Sequence, residues 1–169
     1  MRSISISNEN RGATLIEAVI AIGVLAVAIP MVFGTLAEAG KSEVASQAET
    51  RSTWMVPTCM EEIRASRAGH PRFFTATSVG QSFPAAGEVW ALAFSADGKP
   101  VGKLTKSLYA SGTRKLDGAP VRYIARIGAT PDATDATSDP LLRVDIAIEY
   151  PATAPAAKRA KLAFLSRIP

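Results

Sequence analysis

The carboxylate of Glu17 has the most unusual position among the charged groups of the sequence. The next twenty residues, 18–37, carry no charge, and Glu38 is the first charged residue after them. A carboxylate at the edge of such an apolar run costs a few kcal/mol if it enters hydrocarbon, so it is a functional-site candidate. The alternative is a side chain that lies at a membrane surface and stays hydrated.

Three further carboxylates, Asp132, Asp135 and Asp139, lie within the segment TPDATDATSD, which we expect to be a loop. Oxygen-rich loops of this kind can bind Ca²⁺. The segment lacks the ligand order of an EF-hand and its terminal glutamate. We therefore predict a solvated turn and keep the three aspartates as the candidate calcium ligands.

Cys59 and His70 are the only cysteine and histidine of the chain. One cysteine excludes an intramolecular disulfide and a CxxC site, so we predict that Cys59 is a small apolar packing residue. His70 has no Ser-His-Asp order or partner histidine and is predicted to lie in a solvated loop. The sequence also lacks a phosphate-binding glycine loop, a zinc signature and a nucleophile elbow, which favours a protein that is not an enzyme and has no cofactor.

The composition is that of one ordinary globular domain. The chain has 169 residues, of which 47% are hydrophobic and 20% are charged. Its net charge is +4 and its pI is about 9.5, but the basic residues are scattered and no RNA- or DNA-binding signature accompanies them. We therefore expect a solvated basic surface and no nucleic-acid partner.

The apolar run 18–37 has the length of one membrane span. Arg2 and Arg11 precede it, and positive charge on that side predicts a cytoplasmic N-terminus with the following chain outside. A removable signal peptide is disfavoured, because the small-x-small site 26–28 lies inside the apolar run and the site 37–39 follows a core that is too long. An uncleaved signal anchor explains the run and the charge bias but not the carboxylate.

A third processing outcome follows from a family resemblance. The segment 11–17, RGATLIE, resembles the type III signal sequence of type IV prepilins and pseudopilins: a basic leader, a glycine before the cut, and glutamate as the fifth mature residue. Phe usually stands where this chain has Ala13. The continuation EAVIAIGVLA resembles the V- and I-type minor pilins and, more narrowly, protein B of the Verru_Chthon cassette. The resemblance covers residues 11 to about 40.

The resemblance implies a minor pilin or pseudopilin of a type IV pilus or type II secretion-like filament. A prepilin peptidase would cut between Gly12 and Ala13 and methylate the new amine, and Glu17 would neutralise the amine of a neighbouring subunit. The implied partners are this peptidase, other pilin or pseudopilin subunits through the N-terminal helix, and the bacterial inner membrane. The head would lie in the periplasm, and at the cell surface after filament assembly. The competing function is a signal-anchored periplasmic binding or adhesion module.

The remaining pattern predicts an α+β fold, pilin-like, with a long N-terminal helix packed on an antiparallel sheet of about four strands. The predicted divisions are a cleaved leader 1–12, a transmembrane and assembly helix 13–37, an amphipathic helix 38–67 and a sheet head 68–169. Pro30 is expected to kink or loosen the first helix, and Pro57 to divide the second.

The amphipathic helix is expected from apolar residues at helical spacing, namely Val44, Ala48, Met55, Cys59 and Ile63. Alternation and turn signals predict strands. Their predicted ranges are 89–94, 104–109, 121–127, 142–150 and 161–167.

Overall fold

The structure is a computed structural model that describes residues 14–76, 82–85, 88–131 and 141–168. The chain divides into two compact units, Met1–Val44 and Ala45–Pro169, and we refer to the second as the head. The predicted cleavage residues Gly12 and Ala13 lie outside the described residues. So do the candidate calcium ligands, Asp132, Asp135 and Asp139.

One helix, α1, runs from Leu15 to Arg67. It is continuous through Pro30 and Pro57, so the predicted division at Pro57 is wrong. A proline removes one backbone hydrogen bond, at a cost of about 3 kcal/mol. Met55 and Cys59 are fully buried on either side of Pro57. Burial of a methionine side chain alone contributes about 1.5–3 kcal/mol, which is comparable to that loss.

Gly69 and Pro71 closely follow the last residue of the helix, Arg67. Gly69 has a positive φ of 81°, its N–H donates to Ser66 O at 3.3 Å, and the His70 N–H donates to Ala65 O at 2.8 Å. These two bonds form a Schellman motif, which satisfies carbonyls of the last turn. Glycine suits this position because it adopts positive φ without steric cost.

In the described residues, seven strands and two short helices follow α1. They are β1 (Trp90–Phe94), β2 (Pro100–Lys103), α2 (Lys106–Ser111), β3 (Lys115–Leu116), β4 (Ala119–Pro120), β5 (Tyr123–Pro131), β6 (Leu142–Tyr150), a 3-10 turn (Ala156–Lys158) and β7 (Ala160–Ile168). The main sheet is antiparallel with the order β2-β1-β5-β6-β7, and β3 pairs with β4 alone. The α+β class is therefore confirmed, with five strands in the main sheet.

One strand prediction is wrong. The segment 104–109 was expected to return from β1, but the return strand is β2, and most of that segment belongs to α2. The turn closes with the Ser95 N–H donating to Lys99 O at 2.9 Å, which places the return strand immediately afterwards. Thr105 then caps α2, because its hydroxyl accepts the Leu108 N–H.

The sheet buries side chains on both faces. Cross-strand register places Leu92, Ala125 and Ile148 on one face, and all three are fully buried. The opposite face carries Ala93 and Ile124. These two residues form a buried apolar cluster with Leu104, Val121 and Ala152. Leu108 and Tyr109 of α2 pack against this cluster.

Candidate functional site

The first turn of α1 holds Glu17 in a reciprocal pair of hydrogen bonds. The Thr14 N–H donates to Glu17 Oε2 at 3.3 Å, and the Glu17 N–H donates to Thr14 Oγ1 at 3.3 Å. This is a capping box, in which two backbone donors that have no partner within the helix are satisfied. A carboxylate in the first turn is also stabilised by the helix dipole. Glu17 therefore has a local role that our sequence analysis missed, although the T-x-x-E spacing before an apolar run signals it.

The range 15–37 of the helix is apolar on all sides around and beyond Glu17. Thirteen large apolar side chains are between 50% and 86% exposed, namely Leu15, Ile16, Val19, Ile20, Ile22, Val24, Leu25, Val27, Ile29, Met31, Val32, Phe33 and Leu36. Because successive residues of a helix point in different directions, these positions leave no polar face. By length and composition, with a mean hydropathy of 2.6 over its most apolar stretch, this helix could cross a membrane.

A buried ion pair organises part of the head. Glu149 of β6 and Arg159 have fully buried side chains, and Arg159 Nη1 lies 3.0 Å from Glu149 Oε2. The Tyr109 hydroxyl donates to Glu149 Oε1 at 2.9 Å. Lys161 Nζ and Arg126 Nε lie farther from the same oxygen, at 3.5 and 3.8 Å, with side chains that are about half exposed.

This network connects three parts of the head. The Arg159 Nε–H donates to Ala154 O at 2.8 Å, and a second Arg159 nitrogen donates to Tyr109 O. Burial, followed by the bond to Glu149, raises the pKa of Tyr109 to about 12. The tyrosine is thus a hydrogen-bond donor at neutral pH. The Arg159 guanidinium and the Tyr109 hydroxyl both donate to the Glu149 carboxylate, so the network holds α2 to the β6–β7 connection and has a structural role.

Alternation along the predicted strand 142–150 places Glu149 on the polar face, opposite Ile148 and Tyr150. In the fold, Tyr109 and Arg159 cover that face at Glu149. No local signal in the sequence marks the burial, because the covering Tyr109 and Arg159 lie 40 and 10 residues away. Only the tertiary fold brings these side chains together.

A second buried carboxylate holds the segment that follows α1. Glu62 accepts the backbone N–H groups of Arg72, Phe73 and Phe74 at 3.2, 2.7 and 3.0 Å. Phe74 in turn stacks on Trp90, with ring centroids 4.5 Å apart. The segment after α1 is therefore fixed to the head by a carboxylate and an aromatic pair.

Cys59 is confirmed as a packing residue. It is fully buried, and burial, with a smaller effect of the Glu62 charge, raises the pKa of its thiol to about 12. A thiol with that pKa is protonated at neutral pH and is a poor nucleophile and metal ligand. Within the described ranges, no three histidine, cysteine or acidic side chains lie close enough to hold a metal ion.

The structure thus contains two regions, an apolar helix that begins with a capped carboxylate and a sheet head stabilised by a buried ion pair and a second buried carboxylate. Comparison with protein families, with curated proteins and with solved structures finds no match to this chain.

Proposed function

We propose that this protein is a minor pilin or pseudopilin, a structural subunit of a type IV pilus or type II secretion-like filament. A prepilin peptidase cuts it after Gly12, the apolar half of α1 anchors it in the inner membrane, and the head lies in the periplasm. The observation that carries the proposal is an apolar helix surface, exposed on all sides, that begins directly after a carboxylate in the first helical turn.

The exposed apolar surface of the helix is unfavourable in water unless lipid or protein buries it. Burial of one large aliphatic side chain is worth about 1.5–3 kcal/mol, so thirteen of them amount to some tens of kcal/mol. The uncharged run 18–37 spans about 30 Å as a helix, which matches the hydrocarbon thickness of a bilayer. Lipid tails cover such a surface before assembly, and apolar helices of neighbouring subunits cover it afterwards.

Glu17 distinguishes an assembly subunit from a plain anchor. Cleavage after Gly12 leaves a positively charged amine on Ala13, one residue before the cap residue Thr14. In an apolar bundle of helices that amine and the Glu17 carboxylate are both costly unless they pair. We assign the pair to neighbouring subunits, so that Glu17 joins one helix to the next.

The alternative function is a signal-anchored periplasmic binding or adhesion module. The capping box favours it, because the bonds between Glu17 and Thr14 account for the carboxylate without any neighbour. In that case the protein keeps its leader, and Glu17 serves helix stability alone.

The intact mass of the native protein, extracted from membranes of cells with active prepilin peptidase, tests the proposal. We expect a chain that begins at Ala13 and carries one added methyl group. Gly12→Val should block this cleavage and leave membrane insertion unchanged. The matched control is Gly23→Val, since a side chain added at Gly23 meets no atom within 4 Å, and it should be cleaved normally. Wild-type protein that retains residues 1–12 would contradict the proposal.

A further inference from the structure

We infer that the head carries a basic surface that binds the acidic segment 132–139 of a second copy of this chain. The basic surface consists of four exposed residues, namely Lys99, Arg114, Lys115 and Arg122. The inference goes beyond the proposed function, because it concerns contact between heads and requires no cleavage of the chain.

Two of these cations lie at the end of the sheet where β1 ends and β5 begins. Arg122 directly precedes β5, and its N–H donates to Phe94 O at 2.8 Å. Ser95 follows Phe94, and its N–H donates to Lys99 O at 2.9 Å. Lys99 and Arg122 therefore lie on either side of the end of β1.

The other two cations lie at the start of the β3–β4 hairpin, close to the first two. The Val121 N–H donates to Arg114 O at 2.9 Å, and Lys115 pairs with Pro120. Because Pro120 and Val121 immediately precede Arg122, both cations lie near it. Tertiary contacts thus bring together basic residues that are scattered in the sequence.

The four cations of this surface have no paired carboxylate in the described part of the head. The range 99–122 contains six cations and one carboxylate, Asp117, so its net charge exceeds the +4 of the whole chain. Within the described residues, the side chains of the four cations form no ion pair. Asp97, in the turn before Lys99, is exposed and does not pair with them either. A partner that carries carboxylates is therefore complementary to this surface.

The acidic segment 132–139 carries the complementary charge. Its sequence is DATDATSD, with three carboxylates and no cation. It follows Pro131 and precedes Leu142, two residues that pair where β5 ends and β6 begins. The basic surface lies at the other end of β5, so each chain has opposite charges at the two ends of one strand.

The acidic segment cannot reach the basic surface of its own chain. The ten residues 132–141 start and finish next to the pair of Pro131 and Leu142, so even a fully extended backbone reaches only about 18 Å from that pair. The nine residues of β5 separate Pro131 from Arg122 by about 30 Å. The contact therefore joins two copies. Since each copy carries both charged regions, copies associate head to tail.

The test uses the full-length protein in micelles of an uncharged detergent, as a mixture of unlabelled and ¹⁵N-labelled chains. A carbodiimide joins carboxylates to lysine amines that are in contact, and mass spectrometry identifies the linked peptides. We expect links between copies that join Lys99 or Lys115 to the range 132–139. Their yield should fall about tenfold from low to high salt, since the charges involved are exposed.

A matched pair of double variants tests the arginines without removing the lysines that report the contact. Arg114→Gln/Arg122→Gln should lower the yield of these links about fivefold. The control Arg64→Gln/Arg72→Gln has the same charge loss outside the basic surface and should give the yield of the wild type.

Charge reversal identifies the partner as a second copy. One variant changes Asp132, Asp135 and Asp139 to lysine, and the other changes Arg114, Lys115 and Arg122 to glutamate. Each variant alone should fail to associate in sedimentation velocity, because its two charged regions now have the same sign. An equimolar mixture of the two should recover association, since each then meets its complement on the other.

Three results would overturn the inference. They are links confined to single chains, a yield of links between copies that salt does not change, and a basic surface that binds vesicles of anionic lipid or DNA while copies give no links. The isotope mixture and the salt series use the wild-type protein, so they decide the question even if a variant does not fold. None of these measurements depends on cleavage at Gly12, so this inference can fail while the proposed function stands.

Discussion

The two halves of α1 form one continuous helix but differ in the solvent exposure of their apolar side chains. In the range 15–37 the apolar residues point in every direction and are exposed, whereas beyond Val44 the buried apolar residues follow one stripe through Ala48, Met55 and Ile63. The backbone is helical in both, so the difference lies only in how apolar residues repeat. A stripe indicates one packed face, and a helix without a polar face requires a solvent other than water.

The largest expected effect is a loss of stability of the head when its buried ion pair is broken. Glu149→Ala leaves Arg159 buried without its counter-charge, which should lower the free energy of unfolding of the head by about 3–5 kcal/mol. Urea titration followed by tryptophan fluorescence measures it, and membrane retention should not change. Since apolar replacement of both partners can be nearly neutral, Glu149→Leu/Arg159→Met should recover much of the loss. A single variant as stable as the wild type would contradict the structural role of the pair.

A matched pair of truncations on α1 comes next. Met55→Ala removes a fully buried side chain and should destabilise the head by about 2–5 kcal/mol. Leu25→Ala removes a side chain that is 54% exposed and should leave unfolding of the head unchanged. The same urea titration compares them. Equal effects from the two variants would break the distinction between the halves of the helix.

The buried stripe also predicts a dependence on alkaline pH. The pKa of the Cys59 thiol is raised from 9.0 to about 12 in the folded head, so the unfolded state loses this proton first and stability falls as pH rises above about 9. At pH 10 the loss should be about 1 kcal/mol. Tyr109, with a pKa raised to about 12, adds to it above pH 10. Cys59→Ala should flatten the profile between pH 9 and 10, and an unchanged slope would contradict the burial of the thiol.

The smallest expected effect concerns the start of the apolar half. Thr14→Ala removes the hydroxyl that accepts the Glu17 N–H and should cost about 0.5–1 kcal/mol of local helix stability. Hydrogen exchange of the first-turn amides should become faster, while the head amides stay unchanged. Thr14→Ser is the control, because serine preserves the cap. Faster exchange in the head would mean that the two halves are not independent.

Much of this fold was predictable because it depends on local periodicity. The helix end at Arg67, the buried stripe and the strands β1, β6 and β7 follow from the spacing of apolar residues and from breaker residues. The return strand after β1 was misplaced, since the cap at Thr105 began a helix there. The continuity of α1 through Pro57 was missed because side-chain burial on both sides of the proline outweighs one lost hydrogen bond.

The candidate site was also predictable only in part. The position of Glu17 was evident from the sequence, and its capping bonds were available from the spacing to Thr14. The contacts of Glu149 and Glu62 were not predictable, because each carboxylate meets partners that only the fold brings close. A buried charge in a strand looks the same in sequence as an exposed one.

The measurement that tests the central claim most directly compares three variants for recovery in sheared filaments or cross-linked pseudopilin complexes. Glu17→Gln keeps the capping box, since glutamine serves as well as glutamate there, but removes the charge that we propose pairs with a neighbouring amine. Thr14→Ala weakens the cap and keeps the charge, and Glu17→Val removes both. In the proposed assembly, loss of this charge leaves the buried amine unpaired, at a cost of about 3–5 kcal/mol.

We predict that Glu17→Gln and Glu17→Val are cleaved and retained in the membrane but are absent from the assemblies, whereas Thr14→Ala assembles like the wild type. Recovery of Glu17→Gln at the wild-type level, with loss of Thr14→Ala, would show that Glu17 serves only the helix cap and would contradict the assembly role.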